Sequence, residues 1–149
     1  MRFLALALAT ILLLAACASA DEPDAAKVEV ESPWARASAG QTAAGVVYIR
    51  LSNRAAEPDR LASLSTPVAE KASVHETKRE GDMVSMRPVA SLALPANETV
   101  ALEPGGLHIM LMRLRAPLVE GEVFPMTLGF EKAPSVSIQV EVHALGASH

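Results

Sequence analysis

At 149 residues, with 13 Lys+Arg against 17 Asp+Glu and a formal charge of −4, the chain has room for one domain with a real core. It lacks the basic balance or basic run that a nucleic-acid partner requires. A single cysteine excludes an intramolecular disulfide and any dithiol redox motif, and an aromatic content of 3% is too low for a base- or sugar-stacking platform.

In chain order, residues 1–16 (MRFLALALATILLLAA) read as a secretory signal peptide. Arg2 is the positive n-region, Leu4 to Leu14 the apolar core, and Ala15-Ala16 the small residues before a cut. The apolar run is too short for a comfortable membrane span, which takes about 20 residues. Leu14-Ala15-Ala16-Cys17 resembles a bacterial lipobox, so cleavage before Cys17 and lipidation of that cysteine are expected. The alternative is an incidental cysteine in a discarded signal cut after Ala18 or Ala20. Lipid chains gain about 0.8 kcal/mol per buried methylene, so several acyl chains would hold the protein at a membrane. Residues 17–27 then form a polar, flexible tether, residues 28–143 the domain, and residues 144–149 a short tail.

Within the domain, short β-branched segments alternate with turn signals, the pattern of an all-β sandwich. The expected strands are Val28–Ala35, Ala44–Ser52, Arg60–Ser65, Ala72–Thr77, Met83–Pro88, Thr99–Leu102, Leu107–Leu114, Phe124–Phe130 and Val136–Val142. Pro104-Gly105 suits a type II turn, with Pro fixing φ at the second position and Gly accepting positive φ at the third. Trp34, Tyr48, Phe124 and Phe130 are expected to pack in the core or at edges.

Two histidines and two methionines stand out: His75, Met86, His108 and Met110, spaced H-x10-M-x21-H-x-M. Neutral imidazole and thioether sulfur suit Cu(I) and offer little to Mg²⁺ or Ca²⁺. With a two-residue turn at Glu80-Gly81, His75 and Met86 would face each other across a hairpin, Cβ atoms about 4.5–5.5 Å apart. His108 and Met110, two apart, share one face of a strand whose other face, Leu107, Ile109 and Leu111, enters the core. Met112 falls on the ligand face, at the site's rim or packed beside it, and Met83 has the opposite parity to Met86. Taken alone, a methionine in a strand is usually packing, and a histidine is more often a surface or hydrogen-bonded residue than a ligand.

The surrounding sequence strongly resembles the periplasmic copper chaperones often called PCuAC. The matching segments are W-A-R at 34–36, A-G-V-V-Y-I-R-L-S-N at 44–53, H-E-T at 75–77, G-D-M-V-S-M-R-P-V at 81–89, L-P-A at 94–96, E-P-G-G-L-H-I-M-L-M at 103–112, P-L-V-E-G at 117–121 and T-L-G-F-E at 127–131. The resemblance covers roughly residues 28–142 and matches all four ligand positions in identity and spacing. It implies a single-domain, cupredoxin-like (Greek-key) β-sandwich with His75, Met86, His108 and Met110 as Cu(I) ligands. It also implies a cell-envelope carrier that delivers copper to the dicopper centre of cytochrome c oxidase, through its copper-bearing subunit or assembly factors. Some relatives carry a His/Met-rich C-terminal tail; here the tail offers only His143 and His149, which makes a second metal site doubtful.

Other functions have less behind them. A blue-copper or dicopper electron-transfer site needs a cysteine thiolate, and the domain has none. No nucleophile motif appears, and His75-Glu76 is not H-E-x-x-H because position 79 is arginine, so an enzyme is not expected. The competing expectations are an envelope β-sandwich lipoprotein that binds another protein without metal, and copper storage or detoxification.

Overall fold

The computed structural model describes residues 27–40 and 43–148. The signal peptide, the lipidation candidate Cys17, residues 18–26 of the tether and His149 lie outside the described residues. The described chain holds ten strands and no helix. They are β1 (Val28–Arg36), β2 (Ala44–Asn53), β3 (Asp59–Ser65), β4 (Ala69–Glu80), β5 (Met83–Val89), β6 (Leu92–Leu94), β7 (Thr99–Leu102), β8 (Leu107–Leu114), β9 (Val123–Phe130) and β10 (Val136–His143).

Strict alternation explains why these segments pair as they do. Val47, Ile49 and Leu51 of β2, Ile109 and Leu111 of β8, Phe124, Met126 and Leu128 of β9, and Val140 and Val142 of β10 are buried in one apolar cluster. Hydrogen bonding runs β5-β4-β8-β2-β1-β10-β9-β3-β6, with β7 also on β2 and β1 parallel to β10. The sheet folds over on itself into a cupredoxin-like β-sandwich, with the core between its two halves.

Three differences from the sequence expectation matter. First, β4 begins three residues early and runs to Glu80, because Ala69 to Glu76 pairs with β8 and Val74 to Glu80 with β5. Second, Leu92–Leu94 forms a strand that was not expected; three residues pair with β3 and bury Leu92 and Leu94. Third, the β4–β5 register is displaced by two residues. Gly81 takes φ +61° and sits at the first central position of the turn, with Glu80 paired to Met83. Glycine at that position is the type II′ preference, so the turn is Gly81-Asp82 and not Glu80-Gly81. Met86 therefore faces Thr77, and His75 faces Pro88. A shift of two preserves the face, so His75 and Met86 still project from the same side of the sheet.

Trp34 and Tyr48 are buried packing residues, as expected, but they pack on the outer face of the sheet. A bulge between Glu31 and Trp34, with Ser32 at φ +48°, changes the phase of β1. That sends Ala35 into the core and Trp34 to the outer face. There Trp34 packs on Tyr48 at 4.6 Å between centroids and stacks on His143 at 5.5 Å.

Candidate metal centre

The outer face of β8 carries His108, Met110 and Met112, because Ile109 and Leu111 occupy its buried face. On β4 the corresponding outer positions are Lys71, Ser73, His75 and Thr77, since Val74 is in the core. The β4–β8 register pairs His75 directly with His108 and Ser73 with Met110. The histidine rings lie 6.1 Å apart at 34°. The pairing that β geometry preassembles is thus histidine with histidine, while Met86 arrives diagonally, opposite Thr77. The face lies near the β5 edge of the sheet.

Local turn chemistry then fixes each ring. Glu103 to Gly106 forms the expected type II turn: Gly105 takes φ +87° and the Gly106 amide donates to the Glu103 carbonyl at 3.1 Å. The Gly106 carbonyl accepts from the Thr77 amide at 3.0 Å and from His108 Nδ1 at 3.2 Å. A carbonyl can only accept, so Nδ1 of His108 holds the proton and Nε2 keeps its lone pair. On His75, Nε2 lies 3.1 Å from Ser73 Oγ. The hydroxyl can donate or accept; in the tautomer whose Nε2–H donates to it, Nδ1 is left bare. These two nitrogens, His75 Nδ1 and His108 Nε2, are buried and have no hydrogen-bond partner among the described residues. Buried polar atoms are normally satisfied, and bare imidazole nitrogens oriented by a hydrogen bond from the other ring nitrogen are what a metal ligand presents.

His108 is only 3% exposed, while Met86 is 54% exposed and cannot be a core filler. That position removes the packing alternative for Met86; Met126, 1% exposed, plays the packing role instead. Met86 and His108 line one cleft of about 220 Å³, together with Arg36, Val46, Tyr48, Thr77 and the Pro104-Gly105 turn. Met110 is half-buried beside His108 on β8, between Ser73 on one side and Val46 on the other. Met112, paired with Lys71 and Ala44, is one step further from the histidines. Met83 stands 72% exposed next to the hairpin turn, neither packed nor on the ligand face. Among the described residues no three His, Cys, Asp or Glu side chains form a metal-holding group, so the donors gathered here are two imidazoles and thioethers. His143 is held by Trp34 and lies 3.8 Å from Glu141.

The electrostatics favour a neutral His75 ring. Burial lowers the His75 pKa below its ordinary 6.5, and the nearby His108 and Lys71 lower it further. Because the folded pKa is depressed, this group's contribution to stability is full above pH 6.5 and is lost as pH falls toward the folded pKa. Urea unfolding of the metal-free protein should therefore show stability dropping below pH 6.5, with a shallower drop in His75→Gln. An equal slope in that variant would remove His75 as the source.

The sequence positions missed by spacing alone are Ser73, Gly106, Tyr48 and Arg36, which orient the rings or wall the cleft. Ser73, two residues before His75 on its face, and Gly106, two before His108, carried a readable signal: in a strand, i and i+2 are neighbours on one side.

The geometry defines a cupredoxin-like β-sandwich with a His/Met cluster on the outer face of one sheet, the architecture of PCuAC-type domains. The chain belongs to the LpqE-like family ("Putative lipoprotein LpqE-like"), whose pattern matches residues 28–142. It is 33% identical over 129 residues to "Putative lipoprotein Lxx21020" of Leifsonia xyli subsp. xyli (strain CTCB07), covering 84% of this chain and 76% of that protein. Among solved structures it is similar to the copper-bound PCuAC domain from PmoF2, at 29% identity and TM-score 0.69, covering 79% of this chain and 93% of that one. It is also similar to Cu(I)-bound DR1885 from Deinococcus radiodurans, at 27% identity and TM-score 0.62, covering 85% and 83%.

Proposed function

We propose that this protein is a cell-envelope Cu(I) carrier, tethered to a membrane through lipid on Cys17, that delivers copper to the dicopper centre of cytochrome c oxidase. The observation that carries the reading is the pair of buried, unpartnered nitrogens, His75 Nδ1 and His108 Nε2, on adjacent strands beside the exposed Met86. Similarity to copper-bound PCuAC domains supports copper as the cargo, and the lipoprotein names of the family and its relative support the anchor.

The donor set fits that cargo. His75, His108, Met86 and Met110 supply two neutral imidazoles and two thioethers, all uncharged and soft. Cu(I) has a filled d shell and imposes little geometry, so a site on an open sheet face can both hold it and release it. An acceptor bearing thiolates is softer and negatively charged, which makes transfer toward it downhill. Thioethers do not form disulfides, so the donor set is not lost to disulfide pairing in an oxidising envelope. Binding requires unprotonated rings, and the depressed pKa of His75 keeps that ring available below the ordinary histidine range.

Because Met86 is exposed, Met86→Ala should weaken Cu(I) about tenfold or more while changing unfolding free energy by less than about 0.5 kcal/mol. Chelator competition and urea unfolding check the two halves of that expectation; wild-type affinity in the variant would remove Met86 from the site. The delivery claim is tested by mixing Cu(I)-loaded protein with an apo dicopper-centre fragment and following its visible absorption. Development of the dicopper bands supports delivery. Copper retained by the carrier would favour storage.

A further inference from the structure

A cation stands in the copper cleft, and no carboxylate among the described residues pairs with it. Arg36 lines the cleft with Met86 and His108. Its guanidinium carbon lies 5.6 Å from the Tyr48 ring centroid and 5.9 Å from that of Trp34, a cation–π shelf that fixes the group in place. Nη2 donates to the Ala147 carbonyl at 2.8 Å, whereas Nε is buried with no partner at all. No carboxylate among the described residues lies within ion-pair distance of Arg36. At the other end of the face Lys71 adds a second positive charge, felt by His75. With Cu(I) on four uncharged donors, the cleft itself would gather two positive charges, the metal and Arg36, on a chain whose overall charge is −4. A half-buried guanidinium held in place with no carboxylate paired to it is a ready partner for an anion.

We propose that Arg36 is the anion position of the copper cleft, holding the thiolate of an incoming acceptor beside the metal during transfer. This rests on the Cu(I)-carrier reading above. The step is a ligand exchange with no change of oxidation state. The acceptor thiol loses its proton to solvent, its sulfur forms a bond to Cu(I), and a thioether–copper bond breaks. Arg36 favours the ionised thiol and balances its charge while both proteins hold the ion. Bromide, a soft monovalent anion, reports the same position without an acceptor.

The test uses the Cu(I)-loaded protein with Arg36→Gln and Arg36→Lys, transferring to two short peptides that differ only in carrying Cys or Met as donor. Stopped-flow rates to the Cys peptide should fall about tenfold in Arg36→Gln, with Arg36→Lys between, and rates to the Met peptide should change far less. Copper X-ray absorption of the wild-type protein in bromide should show a bromine neighbour that Arg36→Gln lacks. Equal Cys-peptide rates in wild type and Arg36→Gln would overturn the proposal. So would the absence of bromine at wild-type copper, a readout that stands even if Arg36→Gln fails to fold. A wild-type protein that binds Cu(I) yet shows neither effect refutes the anion position alone; one that takes up no Cu(I) ends the carrier reading as well.

Discussion

His108→Ala should lower Cu(I) affinity by about 100-fold or more, the largest loss expected from any single substitution. His108 is the most buried of the four proposed donors. It is also the most constrained: the Gly106 carbonyl fixes its tautomer, and that carbonyl is itself pinned by the type II turn and the Thr77 amide. No neighbour can substitute. Met112 sits two positions beyond Met110, and His75 is already engaged across the strand pair. Chelator-competition titration at neutral pH measures the effect, and an affinity within a few-fold of wild type would exclude His108 as a ligand.

Asp59→Ala should destabilise the fold by about 3–4 kcal/mol without touching the copper site. Asp59 is 3% exposed at the start of β3. Its carboxylate accepts from the backbone amides of Arg60 at 2.7 Å, Lys132 at 2.9 Å and Ala133 at 2.8 Å, tying β3 to the turn after β9. Burial pushes its pKa up, but the amides of Ala133, Arg60, Lys132 and Glu131 together outweigh that and hold it below 3.8. The folded pKa is therefore depressed, so the stabilisation is present above about pH 4 and disappears as pH falls through the folded value. Asp59→Asn should flatten acid unfolding in that window, well separated from the His75 effect. Urea titrations across pH measure both; an Asp59→Ala protein as stable as wild type would contradict the assignment.

The strand pattern was legible because alternating apolar residues must face one core. Val47, Ile49 and Leu51, or Ile109 and Leu111, leave no other choice of face. The same alternation placed His108 and Met110 together on the outer side. Register was less accessible. Which residue of Glu80-Gly81-Asp82 opens the turn depends on where positive φ falls, and moving it by one position slid Met86 from His75 to Thr77. The adjacency of His75 and His108 depends on β4 pairing with β8, a contact between segments far apart in sequence that local patterns do not encode. Leu92–Leu94 was too short to declare itself, and Arg36 reached the cleft only because the Ser32 bulge rephased β1. Asp59 lies one residue before the expected strand Arg60–Ser65, and only its burial against the Lys132 segment makes it structural.

The central claim is that His75, Met86, His108 and Met110 grip one Cu(I) ion. Methyl and imidazole NMR of the protein during stoichiometric Cu(I) addition tests it residue by residue. The account expects the Met86 and Met110 methyl signals and the His75 and His108 ring signals to move together and stop at one equivalent, with Met83 and Met126 unmoved. Saturation elsewhere, movement of Met83 in place of Met86, or rings that do not respond would contradict it.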